Sequence, residues 1–487
     1  MWQKWTMNDR STSPIVARTW ACEELVDHLG DWWLKTGPLY RLLARAIAAA
    51  VERGDLAHGA RLPSERALAA ATSVSRGVVV AAYDQLVADG LVVRRPGSGS
   101  YITGTPDLDL PPGREGSTLV GRLVDQGLSP TVIDLSISVL HDTDRLPHVA
   151  VSTDALGAAG VDSPWGLSTL RFRIAQRLTA IGLPSEPGQI VVTTGAQQGI
   201  SIAAGCWVRP GDRVVVDDPT YPGALAAFVA AGAEARPVPV DHDGIVLAAL
   251  EEALDERPAL VYVQSGPHSP TGTRLSAGRR RVIAEWVAER RIPLVEDMAL
   301  VSRDWSRLPS VRPIAAEKPE APIAVVGSYS KRFWAGLRVG YVRAPLPVAH
   351  RLVRVKATHD LGSSTVSQAM AVGLLEHRDH AKFVDHRNRE LAERCALLVG
   401  LLREHLPSWT CAVPQGGVSL WVQLPRPVGP SFAAAALLAG VAVATADGLS
   451  AHPSQHRDRL RLTFALPETD LREAVHRLEI AWSAFGP

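Results

Sequence analysis

The chain has 487 residues, 46% of them hydrophobic and 21% charged, and its formal net charge is +1. This length exceeds what one hydrophobic core usually fills, and the small net charge excludes a chain-wide field that attracts nucleic acid or anionic membranes. The four cysteines lack C-x-x-C spacing, which disfavours disulfides and a metal site. The sequence also shows neither an apolar leader nor an apolar run of about 18 residues, so we expect a cytoplasmic protein with no membrane span.

The beginning of the chain is predicted to form an extension followed by a helix. Residues 1–36 start as a polar, irregular segment, and the apolar spacing from Trp20 to Leu34 predicts a short amphipathic helix. A second helix is predicted over 38–53, with Pro38 in its first turn and apolar side chains along one face.

The next residues predict a helix-turn-helix followed by a hairpin. Ser64 is placed to cap a short helix that ends at Ala71, and a longer helix is predicted over 76–89. Two short strands, 91–95 and 100–103, enclose a glycine-rich tip, as in a β-hairpin. Three helices followed by a hairpin make a winged helix-turn-helix.

Residues 37–104 are therefore predicted to be a DNA-binding domain. They contain eight arginines against five acidic residues, a local excess suited to phosphate contact. Arg76 opens the predicted recognition helix, and glycines at the hairpin tip allow close approach to the minor groove. The candidate DNA-contacting residues are Arg66, Arg76, Arg94, Arg95, Gly97, Ser98 and Gly99.

A different pattern begins after a linker predicted at 105–131, which is rich in proline and glycine. Apolar runs alternate with helical stretches, which predicts a largely parallel α/β sheet. The predicted domain covers 132–487, with a large subdomain at about 150–370 and a smaller α+β subdomain at about 371–487. The predicted strands are 190–192, 213–216, 260–263, 292–295 and 323–326, with 419–422 and 459–462 in the smaller subdomain.

A lysine surrounded by anion-binding side chains follows the last strand of the large subdomain. Lys331 has Ser328 and Ser330 just before it and Arg338 shortly after it. A lysine amine next to hydroxyl and guanidinium donors suits the aldehyde and phosphate ends of pyridoxal 5'-phosphate (PLP). Lys331 is the candidate for the imine with this cofactor.

Other parts of the chain supply the remaining features of a PLP site. Asp297 ends a predicted strand, where a carboxylate could keep the pyridine nitrogen protonated, and Tyr221 is a candidate to stack on the ring. Ala196 and Gln197 open a predicted helix, so their N–H groups could bind the phosphate. Each of these signals is weak alone.

The two halves resemble two known families. The pattern Leu-Pro-Ser-Glu-Arg at 62–66, Ser75-Arg76 and the Gly-Ser-Gly tip resembles the winged-helix domain of GntR regulators. The order of the PLP-site residues, with Pro270-Thr271-Gly272, resembles a fold-type I aminotransferase of class I and II. In that resemblance Arg461 corresponds to the arginine that pairs with an amino acid's α-carboxylate.

The fusion resembles the MocR subfamily of GntR regulators. This resemblance implies a PLP-dependent regulator that binds operator DNA and has lost or reduced transaminase turnover. It implies that PLP, or a small amine or amino acid effector that reacts at Lys331, changes DNA binding. It also implies a homodimer, arranged head-to-tail. The effector, the operator and the direction of regulation stay open.

Several residues depart from the aminotransferase pattern around the phenolic oxygen of PLP. Met298 and Ala299 follow Asp297 where an acid and a tyrosine are usual, and Ser269 replaces an asparagine. Val161 and Asp162 lie where a tyrosine is expected to reach the partner's phosphate. These losses favour sensing over catalysis, because donors to that oxygen tune the imine.

Two other functions remain open. The chain could be a working aminotransferase with a vestigial DNA-binding module, which turnover with an amino donor and a 2-oxo acid would reveal. It could also be a DNA-binding dimer whose degenerate second domain holds no cofactor, in which case PLP and amines would leave DNA affinity unchanged.

Overall fold

The computed structural model describes residues 37–52, 60–89, 91–95, 99–102, 131–140, 145–151, 163–303 and 311–485, with the single positions 25, 26, 29, 32, 56 and 143. These residues divide into two compact units, one within 1–113 and the other within 114–487. Most of the predicted helix near Trp20, the wing-tip residues Gly97 and Ser98, and the linker up to residue 130 lie outside the described residues.

The first unit contains the predicted helices and hairpin around one apolar core. Ser64 caps the second helix, because its hydroxyl oxygen accepts a hydrogen bond from the N–H of Ala67 at 3.3 Å. The predicted winged helix-turn-helix is confirmed. Its elements are α1 (Leu39–Glu52), α2 (Glu65–Ala71), α3 (Arg76–Ala88) and the antiparallel strands β1 (Val92–Arg95) and β2 (Gly99–Ile102).

The apolar character of α3 has a packing explanation. Val79 and Tyr83 are fully buried in the core of the first unit, and the Tyr83 hydroxyl donates to the Pro63 carbonyl oxygen at 2.9 Å. Arg76 and Gly77, at the start of the same helix, are exposed. The helix therefore presents its first turn to solvent while the following turns hold the unit together.

The second unit begins with β3 (Ile133–Asp134) and continues into an eight-stranded sheet, in the order β4-β11-β10-β9-β8-β5-β6-β7. Those strands are β4 (Ile190–Thr193), β5 (Arg213–Asp218), β6 (Glu234–Asp241), β7 (Gly244–Ile245), β8 (Leu260–Gln264), β9 (Leu294–Asp297), β10 (Ile323–Ser328) and β11 (Gly340–Arg343). The predicted parallel sheet is confirmed for β10-β9-β8-β5-β6, whereas β11 is antiparallel to both neighbours.

Helices cover both faces of this sheet, as its continuous apolar strands require. All five residues of β8 are buried, and apolar cores lie on each side. The carboxyl ends of β9 and β10 bring Asp297 and Ser328 to the same edge of the sheet. The helices of this part are α4 (Ser168–Ala180), α5 (Ala196–Trp207), α6 (Pro222–Ala230), α7 (Leu247–Asp255), α8 (Ala277–Arg290), α9 (Leu346–Asp360) and α10 (Thr365–Glu376).

The expected smaller α+β subdomain is present. It contains α11 (His380–His405), β12 (Thr410–Cys411), β13 (Ser419–Gln423), α12 (Gly429–Leu438), β14 (Val441–Ala442), β15 (Ala444–Thr445), β16 (Arg459–Thr463) and α13 (Glu468–Phe485). β12, β13, β16 and β15 form an antiparallel sheet.

Residues 131–140, which begin at the last residue of the predicted linker, pack with this smaller subdomain. β3 pairs in parallel with β14, and Leu135 and Leu140 belong to the subdomain's core. The sequence did not indicate this, because a two-residue strand has no periodicity to detect. We refer to residues 131–140 as the entry segment.

Candidate cofactor and DNA-binding sites

Lys331 lies just after β10, at the edge of the sheet. Its Nζ atom donates a hydrogen bond to the backbone oxygen of Ser138 in the entry segment, at 2.6 Å. The hydroxyl oxygen of Ser330 is buried and has no hydrogen-bond partner among the described residues. A buried hydroxyl without a partner is unusual, so this one fits a site that receives a polar ligand.

The amino end of α5 forms the centre of a cup suited to an anion. Its N-cap residue, Gly195, supplies no side-chain acceptor, so N–H groups of the first turn, including those of Ala196 and Gln197, remain for a ligand. The Arg338 guanidinium lies beside this end and donates to the Thr194 carbonyl oxygen at 2.8 Å. These donors and the Ser330 hydroxyl fit the phosphate of PLP.

Gly195 is required for this arrangement. Its φ is 98°, and a Cβ atom there would lie 3.2 Å from a guanidinium nitrogen of Arg338. A larger residue would therefore strain the backbone and push against the arginine.

Asp297 ends β9 as a buried carboxylate with two donors. The hydroxyl of Tyr262, on β8, donates to one carboxylate oxygen at 2.6 Å, and the N–H of Ala299 donates to the other at 2.7 Å. Burial raises the pKa of Asp297, while these hydrogen bonds act in the opposite direction. A cationic pyridine nitrogen would likewise favour the ionised carboxylate.

Sequence reasoning missed Tyr262. A signal was present, because a tyrosine in an otherwise apolar, buried strand needs a partner for its hydroxyl. Gln264 lies directly across from Asp297 in the β8–β9 register. Tyr262 is therefore its diagonal neighbour on the same face.

Tyr221 lies among the charged groups of the pocket. Burial and the nearby Asp297 raise the pKa of its phenol, whereas Arg338 and Arg461 act in the opposite direction. A Cβ atom at Gly223 would lie 2.5 Å from the tyrosine ring, so glycine gives the ring its space. Gly223 also fixes the first turn of α5, because its carbonyl oxygen accepts from the Gln197 side chain at 2.8 Å.

Arg461, on β16, also contacts the entry segment. Its Nη2 atom donates to the backbone oxygen of Ser136, and its buried Nε atom has no partner among the described residues. Burial lowers the pKa of Arg461 to about 10, which leaves the guanidinium charged at neutral pH. Such a group suits a ligand carboxylate.

The region where phenolic-oxygen donors were expected contains a different polar network. The backbone N–H and carbonyl of Ser269 are both bound to the Gln264 side chain at 3.0 Å. His268 and Asp217, both buried, approach each other to 3.3 Å. Met298 is 1% exposed. Val161 and Asp162 lie outside the described residues.

The candidate DNA-binding arginines differ in their local contacts. Arg66 and Arg76 are exposed, and neither guanidinium has a partner among the described residues. Arg94 lies 2.5 Å from Asp84 and 3.9 Å from Glu65. Of the wing residues, Gly99 begins β2 with a φ of 113°. The placement of the Arg95 side chain is outside the described part.

Comparisons with known proteins agree with this two-part arrangement. Residues 39–102 match the family of bacterial regulatory proteins named gntR, and residues 131–478 match aminotransferase class I and II. The chain belongs to the MocR subfamily of GntR regulators. It joins a GntR DNA-binding domain to a PLP-dependent aminotransferase-like domain.

Two relatives illustrate the similarity. The pyridoxine biosynthesis transcriptional regulator PdxR of Corynebacterium glutamicum is 33% identical over 64% of this chain and 68% of its own length. The HTH-type transcriptional regulator YdfD of Bacillus subtilis is 26% identical over 91% of this chain and 96% of its own. Relatives of this MocR protein also include aminotransferases.

Solved structures show the same fold for the second unit. LysN, an α-aminoadipate aminotransferase from Thermus thermophilus, matches 76% of this MocR chain and 95% of its own length, with 24% identity and a TM-score of 0.66. In the part of the chain that the structure describes, no helix is long and apolar enough to cross a membrane.

Proposed function

We propose that this protein senses PLP, or an amine or amino acid that reacts with PLP, through Lys331 and transmits the signal to operator DNA. When bound, PLP supplies an aldehyde that condenses with amines. Asp297 would contact its pyridine nitrogen and Tyr221 its ring. Ser328, Ser330, Arg338 and the N–H groups of Ala196 and Gln197 would hold its phosphate. Arg461 would bind an effector carboxylate.

The observation that carries this proposal is that both cations proposed to bind ligand contact the entry segment. Lys331 donates to Ser138, and Arg461 donates to Ser136. A cofactor aldehyde held at Nζ of Lys331, or a carboxylate held at Arg461, would compete with the segment for the same donors. A ligand would therefore bind more favourably when the entry segment has moved away from Lys331 and Arg461 than when it is in contact with them. Such a difference in ligand-binding energy between two conformations is what a switch requires.

The entry segment leads toward the DNA-binding unit along the chain, through the predicted linker. Asp134 stabilises its present conformation, because one carboxylate oxygen accepts both the N–H and the hydroxyl of Ser136, at 2.7 and 2.5 Å. We infer that a rearrangement of the entry segment changes how the linker presents the winged helix.

We further propose that the protein acts as a head-to-tail homodimer in the cytoplasm.

Hydrogen exchange of the full-length protein tests this coupling. Amides of Ile133 and Leu135 donate to backbone oxygens of the smaller subdomain, so their exchange reports on the segment. Addition of PLP should change exchange at 131–140 in the wild type and not in Lys331→Ala. Equal exchange with and without PLP would contradict the coupling. Turnover with an amino donor and a 2-oxo acid would instead favour the aminotransferase alternative.

The Tyr262→Phe variant tests the role proposed for Asp297. Loss of the hydroxyl donor raises the carboxyl pKa further, so Asp297 becomes protonated at a higher pH than in the wild type. PLP affinity should fall by about tenfold and should be lost earlier as the pH decreases. PLP titrations at several pH values measure both effects. Superimposable pH profiles would count against an Asp297–pyridine contact.

The Arg76→Ala and Arg94→Ala variants test the DNA-binding surface. Arg76 is exposed and has no partner in the described part of the chain, so its loss should cost about 1–3 kcal/mol of DNA binding. Arg94 is held by Asp84, so its replacement should cost less. Fluorescence anisotropy with DNA from the protein's own upstream region gives both values. The reverse ranking would show that the wing, rather than α3, dominates binding.

A further inference from the structure

A second cavity lies beside the cofactor pocket, between the sheet, α4 and α11. Its volume is about 330 Å³. Met298 and Ser328 line it, so it adjoins the cofactor site, but Lys331, Asp297 and Arg461 are not among its lining residues. Its polar lining consists of Arg177, Arg332, Tyr329, Tyr341, Ser302 and Asn388. We call it the arginine–tyrosine cavity.

The described lining of this cavity contains two cationic side chains. Arg177 and Arg332 both line it, and no carboxylate is among its described lining residues. Burial and the neighbouring Arg177 lower the pKa of Arg332 to about 10, so Arg332 stays protonated at neutral pH. The nearby Asp385 acts on Arg332 in the opposite direction, as a partial counter-charge.

Two nearby titratable groups, His380 and Glu296, do not neutralise these arginines. His380 accepts from Nε of Arg332 at 3.0 Å, and its pKa is lowered to about 4 by burial and by the two arginines, so it stays neutral. Glu296 lies behind Tyr341 and is already satisfied by the Ser265 hydroxyl and two backbone N–H groups.

Several donors that face the cavity have no acceptor. The hydroxyls of Tyr329, Tyr341 and Ser302 make no hydrogen bond to any described residue, and neither does the Arg177 guanidinium. Tyr329 is only 4% exposed and Ser302 only 9%. The Ser302 oxygen is itself buried, and buried hydroxyls are normally paired, while the phenols and the half-buried Arg177 guanidinium have hydrogen-bonding capacity left for a ligand in the cavity.

We propose that the arginine–tyrosine cavity binds a small oxyanion, a carboxylate or phosphate metabolite, at a site separate from the PLP pocket. Guanidinium and phenol donors match such an acceptor, and Arg177 can offer two parallel N–H groups. The remaining wall includes Leu178, Ile181 and Val384, which suit a short carbon skeleton. The volume is at the lower end for small-molecule sites.

Occupancy of this cavity would affect the cofactor site through the chain around Lys331. Tyr329 and Arg332 line the cavity, while Ser330 and Lys331, between them, belong to the proposed cofactor site. An anion bound to Tyr329 and Arg332 would fix residues 329–332 from the side opposite to the proposed cofactor site. The visible spectrum of bound PLP would report such a change.

Calorimetric titration of the full-length protein tests the proposal. Inorganic phosphate and succinate serve as probes of the two oxyanion classes, added separately to protein that has been loaded with PLP, reduced with borohydride and dialysed. This treatment keeps the proposed phosphate cup occupied. At least one probe should bind, and Arg177→Gln and Tyr329→Phe should each weaken binding by about tenfold.

Matched variants identify the site. Arg173→Gln, one turn earlier on α4, removes an arginine that is paired with Glu376 and should leave probe binding unchanged. The Arg338→Gln variant, measured without PLP, should also retain probe binding. Arg338 belongs to the proposed phosphate cup and does not line this cavity, so this result distinguishes the present proposal from the cofactor proposal. The proposal is overturned if neither probe binds, if chloride competes equally, or if Arg338→Gln abolishes binding while Arg177→Gln and Tyr329→Phe do not.

Discussion

Lys331→Ala is expected to abolish covalent PLP binding. Wild-type protein incubated with PLP should show the visible absorbance band of a lysine-bound cofactor, and borohydride should fix the cofactor to the chain. The variant should show neither, because Lys331 provides the proposed attachment amine at the edge of the sheet. The substitution does not alter the proposed phosphate cup at α5 and Arg338, so weak non-covalent binding of PLP should remain.

Lys318→Ala is the matched control, because Lys318 is an exposed lysine elsewhere in the same unit. It should behave as the wild type in spectrum and in borohydride trapping. Mass spectrometry of the reduced protein measures the attachment site directly. Cofactor trapped on another lysine, or a normal band in Lys331→Ala, would refute the assignment.

Arg461→Ala is expected to remove the response to amino acids and to spare the response to simple amines. A hydrogen-bonded charged pair contributes about 1.5–3 kcal/mol, so the amino acid concentration that half-perturbs the PLP spectrum should rise by about tenfold to a hundredfold. Amines that lack a carboxylate do not use the guanidinium. Their half-effect concentration should therefore change little.

The measurement compares a panel of amino acids with the amines formed by their decarboxylation. Arg457→Ala is the control, since Arg457 is exposed and lies near Arg461 in the chain. Arg461→Lys keeps the charge without the bidentate fork and should give an intermediate result. Equal losses for amino acids and amines would show that Arg461 holds the pocket's structure rather than a carboxylate.

The sequence predicted the parts of the structure that depend on local pattern. Capping by Ser64, the hairpin around Gly99 and the parallel strands follow from short-range signals, and the structure contains them. The strand at 292–295 was predicted two residues too early, because β9 begins at Leu294, after Pro293. β6 was not predicted, since prolines interrupt its apolar run.

Contacts between distant segments could not be predicted. Nothing local to Ser136 or Ser138 indicates that their carbonyl oxygens meet Arg461 and Lys331, about two to three hundred residues away. The residue type of Tyr262 signals that its hydroxyl needs a partner, but only the register with β9 identifies that partner as Asp297. The sequence therefore indicates site residues that are recognisable from their residue type and their order in the chain. It does not indicate residues whose role depends on tertiary contacts.

The affinity of the full-length protein for its own upstream DNA, with and without PLP, tests the central claim most directly. We expect PLP to change the dissociation constant of the wild type, and we expect Lys331→Ala to bind the same DNA with an affinity that PLP leaves unchanged. Salt concentration must be fixed, because phosphate contacts dominate such affinities. Wild-type DNA affinity that is the same with and without PLP would contradict a cofactor pocket that controls the winged helix.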